Sequence, residues 1–195
     1  FPAGTFLKPV KPGTEGGFSP FFSPDGNWVG YFTQDKLKKV SLLGGEPVSL
    51  CDARVTGGGT WGEDDMIYLV HHEGVLARVP AAGGEPEPVL MGDGSAPALV
   101  VFPEYLPRRE GLLLTVWNPL DSFGGNSREI AFLSLRTGQI KTLVKGGYYA
   151  RYLPSAHLVF VRGGGLFAAP IDLERMEVTG PPVNLFNGVW NDSIW

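Results

Sequence analysis

Short apolar runs, separated by glycine, proline, aspartate and serine, alternate with turn-forming segments along most of the chain. Residues 37–41, 112–116 and 157–161 are runs of this kind. Runs of roughly four to six residues that are rich in valine, leucine and aromatic side chains are typical of β-strands rather than helices. The pattern therefore predicts an all-β chain whose strands are joined by tight turns.

The apolar runs recur with a fixed spacing. The tetrapeptide Gly-Gly-Glu-Pro at residues 44–47 returns 39 positions later at residues 83–86, and an apolar run lies on both sides of each copy. The turn at residues 23–26 is matched by residues 62–65 at the same spacing. Two weaker copies follow, and every copy contains four short runs. A period near 40 residues indicates a repeat architecture in which small units stack on one another.

Four copies of a four-stranded unit predict a β-propeller made of four-stranded antiparallel blades. Stacking covers both faces of each blade, which explains why many runs are apolar throughout instead of alternating. Incomplete blades are expected at both ends, so the chain should be a segment of a larger ring or should be completed by another copy of itself. The predicted single propeller segment contains complete blades at about 17–53, 54–93, 94–146 and 147–188, with remnants at 1–16 and 189–195.

Composition excludes several classes of protein. The 28 glycines and 17 prolines exclude a helical bundle, because both residue types disfavour helices. A net charge of −4, with no basic run longer than Lys38-Lys39, argues against a nucleic-acid partner. No apolar stretch reaches the roughly 20 residues of a spanning helix, so direct membrane insertion is not expected. The lone Cys51 excludes an internal disulfide and a zinc site made of several cysteines.

The repeat resembles that of TolB-like, WD-repeat-like β-propellers. Their hallmark is a Ser-Pro-Asp-Gly turn between the first two strands of a blade, which corresponds here to residues 23–26 within the segment 20–32. Residues 44–47, which follow this segment, belong to the same TolB-like repeat. Taken with them, three further segments make the chain resemble, more narrowly, the C-terminal propeller of bacterial serine/threonine protein kinases; these are residues 61–64, 78–86 and 163–170.

The resemblance implies a non-catalytic interaction module that acts as a sensor or scaffold for a protein, a peptide or a small ligand. It also implies a position on the periplasmic or extracellular side of the membrane. The chain has no kinase phosphate loop, His-Arg-Asp or Asp-Phe-Gly stretch, and no Gly-x-Ser-x-Gly nucleophile turn. We therefore expect no enzymatic activity and no cofactor. The alternative is a propeller associated with an enzyme, either gating an oligopeptidase-like hydrolase or processing glycans.

An insertion in the third copy is the most distinctive departure from the repeat. Insertions in repeat scaffolds often reach the binding face. The predicted ligand-binding residues are Trp117, Asn118, Asp121, Phe123 and Asn126.

Aromatic and acidic residues provide two further candidates. Most aromatic residues should pack between blades, but some could form a binding platform where loops converge; the candidates are Trp28, Trp61, Trp117, Trp190, Tyr148, Tyr149 and Tyr152. The acidic run 63–65 suits a turn better than a calcium site, and no metal site is predicted. Structural turn roles are assigned to Ser23, Pro24, Asp25, Gly26 and Asp64.

Overall fold

A computed structural model of the chain describes residues 14–71, 74–89, 91, 99–106, 111–117 and 128–189. Every regular element in this part of the chain is a β-strand, and the strands form four antiparallel sheets. The predicted all-β class with four-stranded blades is therefore confirmed. No helix among these residues is long and apolar enough to cross a membrane. Most of the two predicted end remnants, residues 1–13 and 190–195, lies outside the described residues.

The four sheets follow one another along the chain as blades 1 to 4, and consecutive strands are neighbours in each sheet, except for the divided outer strand of blade 4. Blade 1 contains β1 (Phe18–Phe22), β2 (Trp28–Phe32), β3 (Lys36–Ser41) and β4 (Val48–Asp52). Blade 2 contains β5 (Val55–Trp61), β6 (Met66–His71), β7 (Leu76–Pro80) and β8 (Glu87–Pro88). Blade 3 contains β9 (Leu99–Leu106), β10 (Gly111–Trp117), β11 (Arg128–Ser134) and β12 (Ile140–Lys145). Blade 4 contains β13 (Tyr148–Leu153), β14 (His157–Arg162), β15 (Gly165–Asp172), β16 (Glu177–Val178) and β17 (Val183–Asn187).

The outer strand of blade 4 is divided into two parts. Both β16 and β17 pair with β15, one with each end of it. Residues 179–182 separate the two parts and include Pro181 and Pro182. Proline has no backbone N–H to give to the ladder, so the pairing of the outer strand ends at Val178 and resumes at Val183.

The core lies between the blades. Leu112 and Leu114 of β10 pack in a cluster with residues of blade 2, whereas Leu113 between them packs in a cluster with residues of blade 4. Each of these three leucines is at most 1% exposed. Successive side chains of a strand point to opposite faces, so a blade with a neighbour on each side needs apolar residues at every position. This packing accounts for the unbroken apolar runs in the sequence.

The first strand of each blade contacts the first strand of the next, from β1 through β5 and β9 to β13. In a propeller, the innermost strand of each blade lies next to the central axis and contacts the innermost strands of the adjacent blades. Each of them contains an irregular step in its pairing with the second strand and one residue with positive φ. The positive-φ residues are Ser19, Gly58, Phe102 and Tyr149, with φ between 47° and 81°. This repeated bulge changes which way the following side chains point.

Candidate functional site

The second residue after each bulge carries a polar side chain in blades 2, 3 and 4. In blade 2 it is Thr60, whose hydroxyl oxygen accepts a hydrogen bond from the backbone N–H of Tyr105 at 3.1 Å. In blade 3 it is Glu104, whose two carboxylate oxygens lie 3.2 and 3.1 Å from the backbone nitrogen of Tyr152. Tyr105 and Tyr152 belong to the first strand of the following blade. The bulge thus directs a polar side chain across the junction between two blades.

Glu104 is a mostly buried carboxyl group with a cation beside it. Its side chain is 21% exposed, and one carboxylate oxygen lies 3.8 Å from Nη1 of Arg151. Burial raises the pKa of Glu104 to about 7, although the Arg151 charge and the Tyr152 N–H both favour the ionised form. The loss of hydration therefore outweighs the ion pair. This carboxyl can take up or release a proton close to neutral pH.

Arg151 is the second residue after the bulge of blade 4, the position that Glu104 occupies in blade 3. Its guanidinium carbon lies 4.4 Å from the centre of the Tyr149 ring, and its Nη1 donates to the carbonyl oxygen of Ala150 at 3.1 Å. The Tyr149 ring in turn meets the Phe102 ring edge-to-face at 4.9 Å between centroids. Tyr149 is 45% exposed although it contacts both of these side chains.

A buried threonine hydroxyl group holds the backbone of Tyr149 in place. The backbone N–H of Tyr149 donates to the hydroxyl oxygen of Thr115 at 3.0 Å, and Thr115 is 1% exposed. Both positive-φ residues of this junction, Phe102 and Tyr149, are bulky, and such residues rarely adopt that conformation. We call Phe102, Glu104, Tyr149 and Arg151 the junction surface. It combines two aromatic rings, a cation and a titratable carboxyl.

Of the predicted ligand-binding residues, Trp117 ends β10 and is paired with Arg128, the first residue of β11. The Arg128 guanidinium lies 5.8 Å from the centre of the Trp117 ring and 5.0 Å from that of Tyr148. Trp117 therefore contributes to an aromatic and cationic group at the base of the insertion. The other predicted ligand-binding residues lie outside the described residues: Asn118, Asp121, Phe123 and Asn126.

The turn at residues 23–26 is built around two side chains. The Ser23 hydroxyl donates to Asp25 Oδ1 at 2.5 Å and accepts from the Trp28 N–H at 2.9 Å. Asp25 also accepts from the backbone and side chain of Asn27. These bonds, above all the one from Ser23, lower the pKa of Asp25 to about 2. Pro24 lies inside the turn, and Gly26 takes a φ of 71° that suits glycine.

Asp64 has two partners near its own turn. Its Oδ1 accepts from the backbone N–H of Met66 at 3.2 Å, and its Oδ2 accepts from the Tyr68 hydroxyl at 2.6 Å. Burial, followed by this hydrogen bond, raises the pKa of the Tyr68 hydroxyl. In the part of the chain that the structure describes, no three histidine, cysteine, aspartate or glutamate side chains are placed to share a metal ion.

Phe102, Glu104 and Arg151 are not among the site residues predicted from the sequence, and Tyr149 is predicted only as one of several aromatic candidates. One signal was available, because Glu104 is the only charged residue in the apolar strand β9. Burying a single charged side chain on the innermost strand of a blade is costly unless the charge is paired, so such a residue indicates a partner elsewhere in the fold. The partner of that charge, Arg151, comes from the next blade and cannot be identified from β9 alone.

No protein-family model matches the sequence, and no curated protein matches it. Solved structures do share its fold. The putative TolB from Agrobacterium tumefaciens has a TM-score of 0.59 and 15% identity, covering 78% of this chain and 57% of that chain. An oligogalacturonate lyase in complex with manganese has a TM-score of 0.57 and 17% identity, covering 87% of this chain and 53% of that chain.

A puromycin-hydrolyzing peptidase from Mycobacterium tuberculosis has a TM-score of 0.58 and 16% identity. The match covers 86% of this chain and 32% of that chain. The chain thus spans less than two thirds of each of these three proteins.

These matches correct the prediction that the chain is not an enzyme. That prediction is wrong, because it took the absence of kinase and serine-hydrolase motifs as a general exclusion. A lyase and a peptidase share the fold with this chain as closely as TolB does. At such low identity the likeness shows the fold and not an activity. The narrower resemblance to kinase-linked propellers stays a prediction, and the four antiparallel blades together with these matches give the chain the fold of the TolB-like β-propellers.

Proposed function

We propose that this propeller is a binding module that recognises a protein, a peptide or a small ligand at the junction surface between blades 3 and 4. The observation that carries the proposal is the position of the Arg151 guanidinium over the half-exposed ring of Tyr149, with 4.4 Å between the guanidinium carbon and the ring centre. The N–H groups of a guanidinium lie in one plane and can donate hydrogen bonds to acceptors of a ligand. The exposed part of the ring offers apolar contact beside those donors.

The surrounding residues support a fixed rather than an adaptable surface. Phe102 holds the Tyr149 ring from one side, and Thr115 holds its backbone. Side chains that are already fixed lose little freedom on binding, so each contact contributes more to affinity. The surface suits a ligand in which an apolar or planar group adjoins a hydrogen-bond acceptor, as in many peptides and acidic sugars.

The proposal is tested with peptide and glycan arrays, followed by calorimetry of the strongest binders. Tyr149→Ala and Arg151→Ala should each weaken binding by at least about tenfold, since anchor residues of this type contribute roughly 1–3 kcal/mol. Arg175→Ala is the matched control, because the Arg175 side chain is 77% exposed and its one ion pair among the described residues is with the nearby Asp172, at 3.8 Å. Binders that are insensitive to both variants of the junction surface would contradict the proposal.

A second candidate function is catalysis at the same junction, and one observation favours it. The pKa of Glu104, about 7, is near the value at which a carboxyl can act as either general acid or general base at neutral pH. The test is turnover of oligogalacturonates and of aminoacyl amides by the wild-type chain. Activity that Glu104→Gln abolishes, while leaving the fold and ligand binding intact, would support this role; activity that survives in Glu104→Gln would count against it.

A further inference from the structure

The boundary between blades 3 and 4 contains a second arginine, Arg128, which the proposed function does not use. Its guanidinium carbon lies 5.0 Å from the centre of the Tyr148 ring in blade 4 and 5.8 Å from that of the Trp117 ring in blade 3. Trp117 and Arg128 are opposite each other on neighbouring strands, so their side chains leave blade 3 on the same face. All three residues are partly buried. Arg128 is thus a cation held between two rings from different blades.

Arg128 has no counter-ion in the part of the chain that the structure describes. Its side chain makes no hydrogen bond and no ion pair there, and contacts only the two rings in this way. Arg151 differs, because a carboxylate oxygen of Glu104 lies 3.8 Å from its Nη1. A guanidinium group has several N–H donors in a fixed fork. The donors of Arg128 are therefore available to an acceptor from outside the chain.

A second positive charge is fixed at the same boundary. Arg162 of blade 4 donates from Nη2 to the carbonyl oxygen of Lys145 at 2.8 Å and from Nε to that of Gly146 at 3.2 Å. The Gly146 N–H in turn donates to the backbone carbonyl oxygen of Arg128 at 2.8 Å. The Arg162 guanidinium thus lies against the segment that is bonded to Arg128, and it too has no ion pair among the described residues.

The neighbouring acidic residue does not neutralise these charges. Glu129 follows Arg128 in β11, so its side chain points to the opposite face of blade 3. Its carboxylate accepts a hydrogen bond from the Thr142 hydroxyl at 2.7 Å. The chain as a whole has a net charge of −4, so two arginines without counter-ions in one place depart from its overall charge. A negative group of a ligand would be attracted to both.

We propose that this part of the boundary binds an oxyanion of a ligand, a carboxylate or a phosphate group, with Arg128 as its hydrogen-bond donor and Arg162 as a second positive charge. The guanidinium fork matches the oxygen spacing of both groups. Trp117 and Tyr148 restrict the Arg128 side chain, so it loses little freedom on binding. The inference goes beyond the proposed function, since it uses none of the four residues of the junction surface.

The test uses three probes: benzoate, phenyl phosphate and benzamide. Benzamide has nearly the shape of benzoate without its charge. Binding is followed by NMR through the indole N–H signal of Trp117, which is assigned by its loss in Trp117→Phe. Benzoate should bind at least about tenfold more tightly than benzamide, because only the carboxylate forms charged hydrogen bonds with Arg128. The affinity should fall with added salt. The tighter of benzoate and phenyl phosphate identifies the preferred oxyanion.

Variants separate the two roles in the proposal. Arg128→Gln removes the charged donor and should lower the affinity for benzoate at least about tenfold, whereas Arg128→Lys keeps the charge without the fork and should lower it less. Arg162→Gln should lower it by about threefold, since Arg162 contributes charge alone. Arg78→Gln is the matched control, because Arg78 lies in blade 2 and pairs with Glu87 at 3.4 Å.

The proposal is overturned if neither anion binds the wild type more tightly than benzamide, or if Arg128→Gln binds benzoate as well as the wild type. Benzoate binding that Arg151→Ala abolishes and Arg128→Gln preserves would also overturn it, since the anion would then occupy the junction surface and the proposed function would stand. Near-ultraviolet circular dichroism confirms that each variant is folded. If Arg128→Gln does not fold, the benzamide comparison and the shift of the Trp117 signal decide the outcome.

Discussion

The backbone N–H of Tyr152 donates to the Glu104 carboxylate across the junction of blades 3 and 4, with both carboxylate oxygens within 3.2 Å. The two residues are 48 positions apart in the chain. Glu104 is mostly buried, so its protonation state affects the hydrogen bond that joins blade 3 to blade 4. The protonation of Glu104 should therefore affect stability.

We predict that Glu104→Gln removes part of the pH dependence of the free energy of unfolding. The pKa of Glu104 is 4.5 in the unfolded reference and about 7 in the fold, so the folded chain binds the proton more tightly. Stability from this group is greatest below pH 4.5 and is lost as the pH rises through 7. At about 1.4 kcal/mol per pKa unit, the loss is at most about 3–4 kcal/mol.

Urea denaturation of the wild type and Glu104→Gln at pH 5 and pH 8 measures this effect. Glutamine keeps an acceptor for the Tyr152 N–H but cannot ionise. The free energy of unfolding of Glu104→Gln, relative to that of the wild type, should be higher at pH 8 than at pH 5. Glu177→Gln, an exposed glutamate that pairs with Lys141, is the control. An equal pH dependence in wild type and Glu104→Gln would show that burial does not control this carboxyl.

The architecture could be predicted from sequence because its determinants are local. The bonds of the 23–26 turn join residues at most five positions apart. The four runs in each copy pair with their immediate neighbours along the chain. A fixed period and turn residues at fixed offsets therefore contain most of the information about the blades.

The junction surface could not be predicted in the same way. Glu104 and Arg151 meet only because bulges at Phe102 and Tyr149 turn both side chains toward one boundary between blades. Neither bulge has a glycine at its positive-φ position, so the usual sequence indication of a bulge is missing there. The hydrogen bond from the Lys39 ammonium group to the carbonyl oxygen of Ala81 could not be predicted from local sequence either, because the two residues are 42 positions apart.

Thr115→Val should destabilise the chain by about 1–3 kcal/mol. Valine has nearly the same shape as threonine but removes the oxygen that accepts from the Tyr149 N–H, and the site is buried. The exposed Thr142→Val is the matched control and should change stability by less than about 0.5 kcal/mol. Chemical denaturation measures both. If the two variants are equally stable, the Tyr149 N–H must find another acceptor.

Ser23→Ala should raise the pKa of Asp25 from about 2 toward its ordinary value of 3.8. The Ser23 hydroxyl is the largest contributor to the lowered pKa, and alanine cannot donate to the carboxylate. The remaining bonds from Asn27 keep part of the shift. Carbon-detected NMR titration of the Asp25 carboxyl between pH 1.5 and 6 measures the pKa directly. The exposed Ser49→Ala should leave this pKa unchanged.

Leu112→Ala should destabilise the chain by about 2–5 kcal/mol, because Leu112 is fully buried between blades 2 and 3 and its loss leaves a cavity there. Leu43→Ala, at a leucine that is 88% exposed, is the matched control and should have little effect. Repeat units that contact only their neighbours depend on the interfaces between them. A weakened interface between blades 2 and 3 should therefore broaden the unfolding transition or split it in two, which calorimetry and far-ultraviolet circular dichroism can detect. An unchanged, single sharp transition in Leu112→Ala would mean that the blades do not depend on this interface for their cooperative unfolding.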